Sequence, residues 1–409
     1  MGEHNIPFRK ADIIAMCADD LPPDERESFA GFTKMLASLL HHRFHERIEE
    51  IKNSFHGTQQ SLPEPERLAA QHRLEEELAA LAKAANFTEM DLSELDRAFS
   101  EHSLLKVRMV VDRKVVDKIL FFRRGEVKQS KQVPIWFGLR KKTISFISYA
   151  RVLVYAKFKD AGHFKETDIA RLAFEPGSTI VKLFHNVPRD DLEMVFPNVQ
   201  VRMRGIDKLL IGVPAVISGI IVIATKLLTT LGLVLVLLAF WLGLSHTSVT
   251  LDQKALISVG IGLFAFGTYI VRQITNFKNR KILFMKALSE NLYYRNLDND
   301  AGVFHHLLDA AEEAEVTEAV LAYHFLRTSP SPLTPSELDA RVEAWFASRC
   351  ETPVDFDVHD GLRKLREHSL VSEDGSGRLS AVTLAEAKRR MDNFWDNLFD
   401  YNNVPVPVQ

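Results

Sequence analysis

The spacing of apolar positions changes twice along the chain, and each change predicts a different kind of element. Phe32, Met35, Leu36, Leu39, Leu40, Phe44 and Ile48 recur every three or four residues, which predicts an amphipathic helix over Phe32 to Ile51. Leu68 to Ala85, rich in Ala, Leu and Glu, predicts a second helix, and Ser61-Leu62-Pro63-Glu64-Pro65 separates the two. From Leu104 the period shortens to that of strands. Leu105 to Val111, Lys118 to Arg124, Thr143 to Ile147, Arg151 to Lys159 and Thr179 to His185 are β-branched and aromatic runs, punctuated by Gly125, Pro134, Gly138 and Pro176-Gly177. Val187-Pro188-Arg189-Asp190-Asp191 then reads as a helix start, with Pro in the first turn and acids at the positive end of the dipole, and Pro197 stops it.

Uncharged apolar runs follow. Leu227 to Leu244 and Ala255 to Val271 carry no charged residue. At about 1.5 Å of rise per residue each is long enough for a hydrocarbon core of about 30 Å. The pair is expected to form a two-helix transmembrane hairpin, with Trp241 and Tyr269 near interfacial depth. Leu209 to Thr225 is apolar but broken by Pro214, and is expected to lie at the interface with Lys226 snorkelling. Arg202, Arg204 and Lys208 precede the pair and Arg272, Lys278, Arg280 and Lys281 follow it, which puts both termini on the cytoplasmic side.

Val303 to Leu321 resumes a helical pattern that ends in Glu312, Glu313, Glu315 and Glu318, after a polar turn over Asn291 to Asn299. From Val316 the order is a helix, a Ser-Pro turn at 329–332, a helix Pro335 to Arg349 capped by Thr334, a helix Val358 to His368, a wing with a Gly-rich turn over Ser369 to Val382, and a final helix from Leu384. That order predicts a winged-helix-like domain with Val358 to His368 as its reader helix. The expected fold class is an α+β membrane protein in six parts. They are N-terminal helices (1–100), a basic β-rich domain (101–208), the transmembrane hairpin (209–272, with 209–226 interfacial and 227–244 and 255–271 as spans), juxtamembrane helices (273–315), the winged-helix-like domain (316–401) and a tail (402–409).

Charge is segregated along this plan. Lys106 to Lys165 holds sixteen Lys and Arg against four acids, whereas residues 1–100 hold nineteen acids against eleven bases. The basic block either attracts anionic lipid head groups, at about 1 kcal/mol per juxtamembrane charge, or neutralises the acidic helices within one folded unit. Arg123, Arg124, Arg140, Lys141 and Lys142 are the candidate lipid-facing cations. In the winged-helix-like domain, Arg363, Lys364 and Arg366 on the reader helix and Arg378 on the wing are candidates for docking a partner. Residues 316–401 nevertheless hold fifteen acids against ten bases, so a protein partner is expected and nucleic acid is not.

Candidate chemistry is sparse. His41, His42 and His45 suggest ligands but lack a third acidic or thiolate ligand at a defined spacing and an H-E-x-x-H pattern, and of His305-His306 only one can face a shared site with Asp309, so no metal is expected. Cys17 and Cys350 form no framework, which is compatible with a reducing compartment, and the N-terminus is no secretory signal. There is no P-loop, Rossmann glycine fingerprint or nucleophile elbow, so no cofactor or catalytic residue is assigned.

The segments FFRRGE at Phe121, YARVLVYAKFKD at Tyr149, KLFHNVPRDDLEM at Lys182 and NLYYRNLDN at Asn291 resemble signature blocks of the transmembrane protein 143-like family, defined by a domain of unknown function (DUF3754). The resemblance spans roughly Leu104 to Leu326. It implies an integral membrane protein with no established activity, of a bacterial inner membrane or, in a eukaryote, of mitochondria. The expected function is a membrane-anchored scaffold or adaptor whose basic domain lies against anionic lipid while the winged helix docks a protein. A membrane-tethered DNA-binding regulator and an unrecognised lipid-acting enzyme are the alternatives.

Overall fold

The structure is a computed structural model that describes residues 6–59, 62–91, 93–95, 108–111, 113–135, 140–170, 172, 174–197, 199–202, 232, 235, 238–244, 253–350 and 354–399. It divides into two compact units, one of residues 1–101, 113–192 and 295–409 and one of residues 102–112 and 193–294. In chain order the elements are α1 (Lys10–Asp19), α2 (Pro23–Gln59), α3 (Glu64–Ala84), β1 (Thr88–Glu89), β2 (Arg108–Val111), β3 (Val116–Ile135), β4 (Arg140–Phe158), β5 (Thr179–Pro188), β6 (Val199–Arg202), α4 (Gln253–Arg295), β7 (Asn296–Asn299), α5 (Ala301–Arg327), α6 (Pro335–Cys350), α7 (Val358–Glu367), β8 (Val371–Glu373), β9 (Leu379–Ala381) and α8 (Leu384–Asp396).

The first unit is organised by its two longest helices. α2 has 37 residues and α5 has 27, about 55 and 40 Å at 1.5 Å per residue, and each runs through two apolar cores. In one core, Ile13 and Cys17 of α1, Phe29 to Leu40 of α2 and Val316 to Leu326 of α5 pack with α6, α7, β9 and α8. In the other, Phe44 to Phe55 of α2 and Val303 to Ala311 of α5 pack with α3 and with Phe122, Leu153, Tyr155, Val181 and Leu183 of the sheet. That sheet is antiparallel with strand order β1-β3-β4-β5-β7. The N-terminal and C-terminal helices, expected as separate domains, thus share one core because α2 and α5 lie side by side.

Several expected boundaries move. The runs at 143–147 and 151–159 are a single strand, β4, and β3 continues through Gly125 (φ 75°) and Pro134 to Ile135. A proline fits there because each strand of a two-stranded ribbon has a free edge. The expected polar turn at 291–299 is instead the end of α4 followed by β7, which joins the sheet beside β5.

The second unit contains the antiparallel pair β2–β6 and α4. Among the described residues no helix is long and apolar enough to cross a membrane, which corrects the expected membrane fold class, the hairpin and the integral-membrane location. The run 255–271 is not a self-contained span. It is the first part of a 43-residue helix that continues unbroken through Arg272, Gln273, Asn276, Lys278, Arg280 and Lys281, about 65 Å in all. Residues 209–226 and most of 227–244 lie outside the described residues.

Candidate functional site

The sheet carries an arm. β3 and β4 pair from Val116↔Phe158 to Ile135↔Arg140, but β1 reaches only Arg123 and Phe122 of β3, and β5 leaves β4 at Ser148. From Lys128↔Ile147 onward the two strands run on, without a third strand among the described residues, for eight pairs, about 26 Å at 3.3 Å per residue. The neighbouring strands end where the core ends. Tyr149, Val152 and Leu153 are buried, whereas Val127, Lys128, Gln129, Ser130, Gln132, Thr143 and Ser145 are exposed. Residues 127–147 hold five cations, Lys128, Lys131, Arg140, Lys141 and Lys142, and no acid.

The five expected lipid-facing cations divide accordingly. Arg123 lies at the arm's root, ion-paired to Glu94 at 3.2 Å and Glu126 at 2.5 Å, with its guanidinium 5.3 Å from the Tyr149 ring centroid. Arg124 stacks over Phe87 at 5.9 Å. Both serve the fold. Arg140, Lys141 and Lys142 occupy the outermost paired positions of β4, and their side chains lie outside the described residues.

The expected docking residues lead to a different place, a buried ion cluster between α5 and α7. Lys364 is 0% exposed, and its Nζ lies 3.6 Å from Glu315, 3.6 Å from Glu318 and 3.5 Å from Asp360. No partner comes within hydrogen-bond geometry of Nζ, so the cluster is held by Coulomb attraction in a poorly solvated place. Lys364 is therefore corrected from a docking residue to an internal counter-ion. Its neighbours are the reason: Asp360 and Lys364 stand four apart on α7 and Glu315 and Glu318 three apart on α5, so each pair shares a helix face. Gly361 allows the approach, since a Cβ there would sit 2.7 Å from the Glu318 carbonyl oxygen.

Two more segments reach the cluster. Arg43 of α2 bridges Glu315 at 2.9 Å and Glu367 at 2.6 Å, and Asn86, with φ 59° in the turn after α3, donates to Glu318 Oε1 at 3.2 Å. Arg43 falls between Leu40 of the first core and Phe44 of the second, and Glu315 between Val316 and Ala311, so the charges mark the seam between the cores. Burial raises Glu318 to about 7 despite Lys364. Burial also opposes ionisation of Asp360 and Glu367, but Lys364 and Arg363 in one case and Arg43 in the other outweigh it and hold both carboxyls low.

The remaining docking candidates are exposed but engaged. Arg363 pairs with Asp360 and Glu367 at 3.1 Å each, Arg366 with Glu373 at 2.9 Å, and Arg378 with Glu337 at 3.2 Å and the Pro332 carbonyl at 2.9 Å. His41 meets Glu312 at 2.7 Å, His306 meets Asp298 at 3.3 Å, and His42 packs on Trp395 and Phe399. Among the described residues no group of His, Cys, Asp or Glu is placed to hold a metal ion. Sequence reasoning missed Arg43, Asn86, Glu315 and Glu318 as one cluster. The signal for half of it was present in the i,i+3 and i,i+4 spacings, but the meeting of distant segments was not.

Residues 149–302 match a family model described as a protein of unknown function, DUF3754. The match covers the inner half of β4, then β5, β6, α4 and β7, and stops as α5 begins. The eight-pair arm and the ion cluster both lie outside it. No solved structure matches the chain.

Proposed function

We propose that this chain is a scaffold or adaptor that touches an anionic lipid surface peripherally through the β3–β4 arm and docks a protein through its C-terminal segment. The observation that carries the reading is the arm itself: eight strand pairs beyond the sheet, five cations and no acid. Such a ribbon contributes little to the core, and anionic head groups attract each nearby cation by about 1 kcal/mol. The order α5, α6, α7, β8, β9, α8 supports the winged-helix reading of this segment. Its acidic balance and the intrachain pairing of Arg363, Arg366 and Arg378 favour a protein over a phosphate backbone as its partner.

Co-sedimentation of the full chain with vesicles tests this. Vesicles containing about 30% phosphatidylserine should bind, pure phosphatidylcholine should not, and raising the salt should release the protein. Arg140→Glu/Lys141→Glu/Lys142→Glu should reduce binding by roughly a hundredfold or more, at about 1 kcal/mol per lost cation. Arg363→Ala/Arg366→Ala should leave it unchanged. Equal binding to neutral vesicles, or capture of duplex DNA in preference to vesicles, would sink the proposal.

A further inference from the structure

A cleft of about 870 Å³ opens where the end of α5, the outer face of α6 and the turn between α1 and α2 meet. That size lies within the range of small-molecule sites. Its wall is a ladder along α6: Arg341, Trp345 and Arg349 stand four residues apart and so share a face. The Arg341 guanidinium lies 5.8 Å from the Phe325 ring centroid, Trp345 meets Phe325 edge-on at 5.6 Å, and Arg349 lies 5.4 Å from the Trp345 ring centroid.

One anionic group is already seated at the edge. Asp20, at the C-cap of α1, accepts from Trp345 Nε1 at 2.9 Å and from Arg349 at 2.6 Å. The indole N–H and the guanidinium thus form a carboxylate-sized seat, and Asp20 fills it from within the chain. Arg341 is different. Its only hydrogen bond among the described residues is a long one, 3.5 Å to the Thr328 carbonyl, and it makes no ion pair there. A guanidinium has five N–H donors, so most of these have no partner among the described residues, and the side chain lines the cleft. The floor is His324, 2% exposed, with Nε2 3.9 Å from Asp20 and Nδ1 without a partner. Burial lowers its pKa to about 4, so it is neutral at pH 7. The charges lining the cleft are then Arg341 and Arg349 against Asp20, a net positive site.

We propose that this cleft binds a small organic anion, with Arg341 as the charged anchor and the Trp345–Arg349 seat as a second point that Asp20 competes for. A carboxylate and a phosphate present the same anionic oxygens to a guanidinium, so the source is left to the experiment. The site lies in the helical core and includes no residue of the arm, so it stands or falls independently of lipid contact.

The test is isothermal titration of the full chain with succinate and, separately, with inorganic phosphate, at ionic strength held constant with chloride. At least one probe should bind saturably, and which one does identifies the anionic group. Arg341→Gln should weaken that binding about tenfold or more, the scale of one lost charge-assisted hydrogen bond. Arg341→Lys should retain part of it, which guards against a loss due to misfolding. Asp20→Ala should strengthen binding severalfold, because it frees the indole N–H and Arg349 and removes the competing carboxylate; a merely structural Asp20 would not give that sign. Absence of saturable binding for both probes, or wild-type affinity in Arg341→Gln, would overturn the proposal.

Discussion

Lys128 and Lys364 are the same residue in opposite settings. Lys128 lies on a two-stranded arm with no acid between residues 127 and 147, and it is exposed. Lys364 lies at the seam of two cores with three carboxylates within 3.6 Å, and it is fully buried. A count of charges along the chain treats them alike. What separates them is desolvation: a surface cation keeps its water and remains available to a partner, whereas a buried one is tolerated only because acids surround it. Lys128 is therefore open to solvent, whereas the cluster's cation acts on the chain.

The sharpest way to break this contrast is to make one substitution in both places. Lys364→Met removes the cation that Glu318 pairs with among the described residues, while Arg43 still pairs with Glu315 and Arg363 with Asp360, so unfolding free energy in urea should fall by up to about 3 kcal/mol. Lys128→Met should change it by no more than about 0.5 kcal/mol. Similar losses at both positions would mean that the arm is packed and not free.

The second test is pH. Burial lifts Glu318 from its ordinary 4.5 to about 7, so the folded chain holds a proton there that the unfolded chain has released. The stability this contributes is fully present below pH 4.5 and is lost as pH rises through 7. His324 has the opposite sign. Its pKa falls from 6.5 to about 4, so its contribution is present above pH 6.5 and is lost as pH falls through 4. Between pH 4.5 and 6.5 the two partly cancel, and Glu318→Gln separates them. Relative to the wild type, the glutamine variant should gain roughly 2 to 3 kcal/mol between pH 5 and pH 8, because it never ionises. A difference that stays flat over that range would show that Lys364 keeps Glu318 ionised throughout.

What the sequence disclosed follows the range of the interactions involved. The helix over Phe32 to Ile51 was legible because its apolar repeat is local, and it lies within α2. The strand Thr179 to His185 was legible for the same reason, and Thr334 was readable as a cap because its hydroxyl needs only the Glu337 amide three residues on. The merger of two runs into β4 was not, because the pairing partner that extends it, Val127 to Ile135, is itself too polar to read as a strand. The apolar run 255–271 misled for a related reason: composition reports what a segment could bury and not how far its helix continues. The ion cluster was the least legible feature. Arg43, Asn86, Glu318 and Lys364 come from four segments, and no spacing within any one of them announces the others.

The smallest expected effect sharpens the contrast from the exposed side. Arg366 and Glu373 form a well-shaped pair at 2.9 Å, but their side chains are 46% and 50% exposed. Water screens the attraction, and ordering two long side chains costs entropy, so such pairs contribute between about 0 and 1 kcal/mol. Arg366→Ala should therefore shift the urea midpoint barely at all, and less so in high salt. Comparing the single variants with the double variant Arg366→Ala/Glu373→Ala isolates the pair itself, and the coupling should be below about 0.5 kcal/mol. A coupling several times larger would mean that this pair, like the buried cluster, is shielded from water, and that the β8–β9 hairpin is less open than its exposure indicates.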